Sequence, residues 1–433
     1  MKSLIKQIIL DFHHEPIPDA ISRSVKIPDT NQLRKANVFI GMRRSGKTYL
    51  MYKQMHDLIN DGIEKEKISY INFEDDRLIK FNVNNFQDIL DAYFELYPNY
   101  SHAKDLHFFF DEIQNIKDWE KFIRRLLDKE YINIYITGSS AKALSKEIST
   151  SLRGRSIITE VFPMSFYEFL NYHKIRELNH LSSKQLSTVK HFALEYLKHG
   201  GFPETLFINA ENQRLLMQDY ANAVVYRDVI ERHSINNPHM VKLFLIHCLQ
   251  NATSSLSITK IYNSFKSMGE NIGKNSLYEY LDYFEDAFLL FPISIYDLSL
   301  RKRLVNPKKI YCADPGLINA YSLKPDMSQS AALENAVFNE LRRHNKEIFY
   351  YRTNTSKEVD FVIQDSNGAI QLVQACLEID REETLTREVN ALIEAKNELN
   401  AKSTIIVTLD QERQIKLGNN TISVIPFWKW IMK

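Results

Sequence analysis

The 433-residue sequence lacks most of the features that assign a chain to a class at first sight. It has three cysteines, Cys248, Cys312 and Cys376, scattered in no metal or redox spacing. That excludes a disulfide framework and a cysteine metal site, and it fits a reducing, cytosolic compartment with the thiols as small core residues. The formal net charge is +1, so there is no overall excess of one sign to hold nucleic acid or an anionic membrane, and any such surface must be local. The longest apolar run, Ala287 to Ile295, is nine residues and contains a proline and a serine, against the roughly 20 that a bilayer span needs. The N-terminal run MKSLIKQIIL meets acid and histidine too soon for a secretory h-region. Neither a low-complexity segment nor an internal repeat is visible.

What remains is ordinary for a globular chain, with 44% hydrophobic and 25% charged residues and a length suited to about two to four domains. One stretch stands out. Gly41, Met42, Arg43, Arg44, Ser45, Gly46, Lys47 and Thr48 fit the phosphate-loop pattern G-x-x-x-x-G-K-[ST]. Asn37 to Ile40 before it reads as a short buried strand. Leu50, Met51, Met55, Leu58 and Ile59 after it recur at helical spacing up to Gly62. Strand, glycine loop, helix is the order phosphate binding needs, because backbone N–H groups then face inward at the positive end of a helix. Lys47 is placed for the β- and γ-phosphates and the Thr48 hydroxyl for Mg²⁺. The plainer alternative, a turn before a surface helix, does not account for all four fixed positions and both flanks. The expectation is a bound nucleoside triphosphate, ATP, with Mg²⁺.

A second stretch, Leu106 to Glu112, runs an apolar strand into two carboxylates. At the C-terminal end of a parallel strand, Asp111 is placed for the Mg²⁺ shell and Glu112 to orient a water toward the γ-phosphate. A solvated acid pair after a core strand is the alternative. A third strand, Ile132 to Ile136, ends in Thr137-Gly138-Ser139-Ser140, where Ser139 is a candidate γ-phosphate sensor or part of a plain turn. Arg153 and Arg155 offer guanidinium groups for phosphoryl charge, in cis or from a second copy of the chain, or else ordinary surface ion pairs. No guanine-reading N-K-x-D follows the loop, which separates the chain from small GTPases.

These motifs resemble the AAA+ and STAND-like ATPases, and more closely the large prokaryotic family of predicted AAA+ ATPases with a C-terminal domain of unknown function. The resemblance rests on Gly41–Thr48, Phe110-Asp111-Glu112-Ile113-Gln114, Ile136-Thr137-Gly138-Ser139-Ser140 and Leu152-Arg153-Gly154-Arg155. It continues through Phe162-Pro163-Met164-Ser165-Phe166-Tyr167-Glu168-Phe169, Gly200-Gly201-Phe202-Pro203-Glu204 and Tyr311-Cys312-Ala313-Asp314-Pro315-Gly316-Leu317. The expected class is α/β: a P-loop NTPase core with a parallel sheet over 1–160, a helical lid over 161–238, a winged-helix domain over 239–324 and an α/β nuclease-like domain over 330–433. Residues 1 to about 35 read as a polar lead-in strapped across the core.

Between the expected strands of the winged helix lie Arg301 to Lys309, five cations in nine residues. On a wing they would meet a DNA backbone; a solvated hairpin tip or a joint to a protein partner explains them too. The C-terminal segment resembles the PD-(D/E)xK nuclease fold, which implies that Glu334 and Asp360 converge on a metal. The strand that should carry acid-x-Lys carries Gln374-Ala375-Cys376 instead, so the site reads as degenerate and the domain as a binding or scaffolding module. The leading expectation is a cytosolic Mg²⁺-dependent ATP hydrolase without a membrane span, homo-oligomeric if an arginine acts in trans. Its rivals are a slow ATP-gated switch acting on a protein and an ATP-dependent DNA nuclease.

Overall fold

The computed structural model describes residues 1–30, 33–138, 152, 154–323, 328–344, 347–365, 367–418 and 420–432. The chain divides into two compact units, Met1–Phe162 and Pro163–Lys433.

The first unit is a parallel sheet of five strands in the order β2-β3-β4-β1-β5. They are β1 Ala36–Ile40, β2 Ile68–Asn72, β3 Leu106–Asp111, β4 Ile132–Gly138 and β5 Ser156–Glu160. Every residue of β1 and β3 is buried, as expected when crossover helices cover both faces of a parallel sheet. Among the described residues, four α-helices belong to this unit: α1 Lys2–His14, α2 Lys47–Asn60, α3 Phe86–Leu96 and α4 Trp119–Lys129. The lead-in is therefore partly helical. Ile5, Ile8 and Ile9 supply the buried stripe of α1, which packs on α3 and β2. The strap follows, with Ile17 buried against Leu50, Met51 and Met55 of α2, and with Val25 and Ile27 on the same cluster. Because β4 lies between β1 and β3, the loop leaving β1 and the acids leaving β3 open onto one crevice with the end of β4 between them.

The second unit begins with α5 Phe166–Tyr172, α6 Ser183–His199 and α7 Ala210–Ala223, the last continuing as a π-helix over Val224–Glu231. Both α5 and α6 start in a capping box, Ser165 with Glu168 and Ser182 with Gln185. Helices α8 Pro238–Gln250, α9 Ile258–Ser267 and α10 Lys274–Asp286 then precede an antiparallel three-stranded sheet, β6-β8-β7. Its strands are β6 Ser255–Leu256, β7 Leu290–Ile293 and β8 Lys308–Cys312, and a short helix, α11 Leu300–Val305, fills the β7–β8 connection. After α12 Pro315–Tyr321 and α13 Gln329–His344 comes a mixed six-stranded sheet, β13-β14-β12-β11-β10-β9. Its strands are β9 Ile348–Arg352, β10 Glu358–Gln364, β11 Ile370–Ala375, β12 Ser403–Thr408, β13 Arg413–Leu417 and β14 Asn420–Pro426, with α14 Glu382–Leu399 on one face and α15 Phe427–Trp430 at the end.

Two motifs that looked unrelated in the sequence are one joint. The Asp314 carboxylate accepts from Gly201 N at 2.7 Å and from Gly316 N at 2.8 Å. Gly200 sits at φ +79°, and a Cβ there would lie 1.6 Å from Asp314 Oδ1. A Cβ on Gly201 would lie 2.2 Å from the Met164 carbonyl oxygen. The double glycine is thus required by close approach as well as by backbone angle. Burial pushes the Asp314 carboxyl up to about 7, against the pull of these backbone hydrogen bonds and of Arg343.

Candidate nucleotide site

The site is assembled from the ends of three neighbouring strands. From β1 comes the loop, where Gly41 at φ +155° has no space for a side chain: a Cβ would stand 2.2 Å from the Val161 carbonyl oxygen. Arg44 and Gly46 take positive φ, 67° and 98°, and let the loop curl into α2. Met42, Ser45 and Lys47 are buried. The Lys47 ammonium donates to the carbonyls of Gly41 and Met42, 3.1 Å each, and so lies folded over its own loop. Arg43 reaches out to Glu74 at 3.5 Å.

From β3 comes Asp111, buried with every face of its carboxylate engaged. Oδ2 accepts from Thr48 Oγ1 and from Tyr70 Oη, both at 2.9 Å, and Oδ1 accepts from Thr137 Oγ1. Burial pushes this carboxyl above its usual range; the hydrogen bond from Thr137 works against that and the Glu112 charge adds to it. Thr137, fully buried at the end of β4, also accepts from Glu112 N at 2.8 Å. Glu112 stands at φ 50° in the left-handed region, and its carboxylate accepts from the Gln114 amide. Thr48 Oγ1 and the Asp111 carboxylate form a hard-oxygen donor pair of the kind Mg²⁺ takes, so the residues present suit that ion. An ion on this pair would take the rest of its shell from phosphate and water.

The other expected site residues part company. Ser139 and Arg153 lie outside the described residues. Arg155 lies at the wrong end of the sheet for a role in cis: its carbonyl accepts from Ala36 N at the start of β1, whereas the loop leaves the far end of that strand, about 13 Å away at the rise of an extended chain. Its guanidinium pairs with Asp128 at 2.8 Å. In the second unit, Glu334 and Asp360 do converge, but on a lysine of the chain itself, Lys309, at 2.8 and 3.0 Å. Gln374 Oε1 accepts from Asp360 N at 3.1 Å. The basic segment lies in the connection between the antiparallel strands β7 and β8. Arg301 to Arg303 sit on α11, and Lys309, expected among the DNA-facing cations, is 2% exposed on β8.

Residues 33–170 match the model of the AAA domain family, 191–328 a domain of unknown function (DUF8612) and 329–430 another (DUF4143). Over 99% of its length the chain is 35% identical to the uncharacterized protein MJ1544 of Methanocaldococcus jannaschii, of which it covers 95%. The chain belongs to that family. Its first unit is an AAA+ type P-loop domain. An uncharacterized protein of Haemophilus influenzae is 28% identical across 95% of this chain and 97% of its own. Among solved structures, the ORC2 protein of Aeropyrum pernix in its ADPNP–ADP complexes aligns over 79% of this chain and 94% of its own, with 13% identity and a TM-score of 0.35.

Two contributors to the AAA+ site were not foreseen. Tyr70 enters from β2, and its hydroxyl is held well above its ordinary range by burial and then by the Asp111 charge, which keeps it a donor. The period-2 pattern of β2 marks it as facing the helix side, but only the strand order brings it to Asp111. Arg23, on the strap, donates to the Ser45 carbonyl inside the loop at 3.0 Å and to the Phe162 carbonyl at 2.6 Å. Nothing in its surrounding sequence distinguishes it from the other arginines.

Proposed function

We propose that the chain binds ATP with Mg²⁺ on the loop Gly41–Thr48 and hydrolyses it, using nucleotide state to control its second unit. The observation that carries this reading is the continuous chain Thr48–Asp111–Thr137–Glu112 N, which ties the loop hydroxyl to both acids of β3. Lys47 leaves the Gly41 and Met42 carbonyls for the β- and γ-phosphates, and the backbone N–H groups of the loop share that charge. Thr48 and Asp111 hold Mg²⁺, which when bound would neutralise charge on the phosphate oxygens. Glu112, released from Gln114, accepts a proton from the water aligned with the γ-phosphate. Glu112→Gln should keep ATP affinity within about threefold and lower turnover by at least ~100-fold. Equal steady-state rates for the two proteins would remove Glu112 from this role.

In the same proposal, α8–α10 with β6–β8 form a winged helix, residues 330–433 form a nuclease-like scaffold without nuclease activity, and the compartment is the cytosol, which the three buried thiols favour. No helix among the described residues is long and apolar enough to cross a membrane. A second reading, a slow ATP-gated switch acting on a protein, is supported by the Gln114 contact, which engages the Glu112 carboxylate. It is supported also by Leu298, Leu304 and Val305, each at least 70% exposed among the cations of α11, a composition that suits a protein surface better than a DNA backbone. ATP turnover measured with duplex DNA across a salt series separates the two partners: stimulation that fades with salt indicates DNA, and none at low salt indicates a protein.

A further inference from the structure

The acids of the nuclease-like domain surround a cation that the chain supplies itself. Lys309 Nζ lies 2.8 Å from Glu334 Oε1 on α13, 3.0 Å from Glu358 Oε1 and 3.0 Å from Asp360 Oδ1, the last two on β10. The ammonium donates hydrogen bonds to Glu334 and Asp360, and Glu358 adds an ion pair. Tyr311, two residues along the same face of β8, donates to Glu334 Oε1 at 2.7 Å. Asp360 Oδ2 accepts from Ala375 N at 3.0 Å, and Arg352 pairs with Glu358 at 3.1 Å. Both oxygens of Asp360 and the amide oxygen of Gln374 are therefore spent on the chain. Lys309, Tyr311, Asp360 and Gln374 are all buried, and Glu358, a third exposed, is the most open of the acids.

We propose that Lys309 is a built-in cation occupying the place a divalent metal would take between Glu334, Glu358 and Asp360, and that this ion cluster locks β8 of the three-stranded sheet to the six-stranded sheet. The degenerate site is then plugged as well as short of ligands. A tethered ammonium cannot be washed out or exchanged for Mg²⁺ at cellular concentrations. The charge balance fits. Burial works against the ammonium, but the carboxylate charges, Asp360 foremost and then Glu334 and Glu358, outweigh it and hold Lys309 well above its ordinary range. Burial, then Asp360, push the Glu334 carboxyl up, against the pull of Lys309 and of the Tyr311 hydroxyl.

The test is thermal unfolding in a Mn²⁺ titration without nucleotide, on full-length wild type, Asp360→Asn, Lys309→Met and the double variant Lys309→Met/Asp360→Asn. Mn²⁺ should move the wild-type Tm no more than that of Asp360→Asn. Lys309→Met should unfold at lower temperature and recover by about 5 °C once Mn²⁺ reaches about 100 times its Kd, a response the double variant loses. A Mn²⁺ shift in wild type that Asp360→Asn abolishes, or Mn²⁺-dependent plasmid nicking abolished by the same change, overturns the proposal. So does a folded Lys309→Met with no Mn²⁺ response. If Lys309→Met does not fold, the wild-type and Asp360→Asn comparison decides alone.

Discussion

Thr137→Val is the most searching perturbation of the nucleotide site, because it keeps the shape of β4 and removes one hydroxyl with two buried partners. That hydroxyl donates to Asp111 Oδ1 and accepts from Glu112 N. Its loss leaves a carboxylate oxygen and a backbone N–H without their donor and acceptor where Asp111 is 1% exposed. Each such orphan costs about 1–3 kcal/mol, the charged one toward the upper end, so the unfolding free energy should fall by roughly 2–5 kcal/mol. The catalytic effect has a separate origin. Glu112 is held at φ 50° in part by the bond from its N–H to Thr137, and without it the peptide relaxes toward the ordinary right-handed or extended regions and takes the carboxylate with it. If about 1.5–2 kcal/mol of that loss falls on the transition state, kcat drops ~10–30-fold. The phosphates are held by loop amides and Lys47, which Thr137 does not touch, so KM for ATP should change less than about threefold. Steady-state ATP turnover and urea unfolding of the wild type, Thr137→Val and Thr137→Ser measure all of this, with serine restoring kcat because it restores the hydroxyl. A Thr137→Val protein of wild-type kcat would refute the idea that β4 positions the acid, whatever its stability.

Two further outcomes follow from side chains away from that crevice. Asp314, at about 7 in the folded chain against about 4 when exposed, favours the folded state most below pH 4 and loses that contribution as pH rises through 7. Asp314→Asn should therefore weaken the joint to Gly201 and Gly316 by about 1–3 kcal/mol while flattening the fall in stability between pH 5 and 8 seen by urea unfolding; an unchanged slope would show that Asp314 is ionised throughout. Arg155→Ala should leave ATP turnover within about twofold at protein concentrations where the chain is monomeric, since its guanidinium pairs with Asp128 at the opposite end of the sheet. A loss of turnover that appears only on self-association would instead assign Arg155 to a neighbouring copy's site.

The residues that could be read from the sequence are those whose chemistry is contiguous. The loop Gly41–Thr48 and the pair Asp111–Glu112 declare themselves because strand, turn and functional group follow one another without a tertiary contact, and a fully apolar strand such as Phe108-Phe109-Phe110 has few other destinations than the middle of a sheet. What could not be read depends on which strand lies beside which. Tyr70 reaches Asp111 because β2 neighbours β3, and Arg155 falls away from the loop because β5 runs parallel to β1 and begins where β1 begins. Lys309 is the sharpest case. In a run of five cations its charge looked like that of its neighbours, yet it leads directly into the apolar strand residues Ile310 and Tyr311, whereas Arg301 to Arg303 belong to a solvent-facing helix. A lysine on the inner face of such a strand must find anions or go unpaired, at a cost of several kcal/mol. The acids that meet it stand 25, 49 and 51 residues further along, on α13 and β10. Charge density along the chain therefore pointed to a DNA-facing surface at the very position where the apolar run of the strand pointed inward. The second signal is the physically stronger one, because desolvating an unpaired ammonium costs more than a phosphate contact at a surface returns.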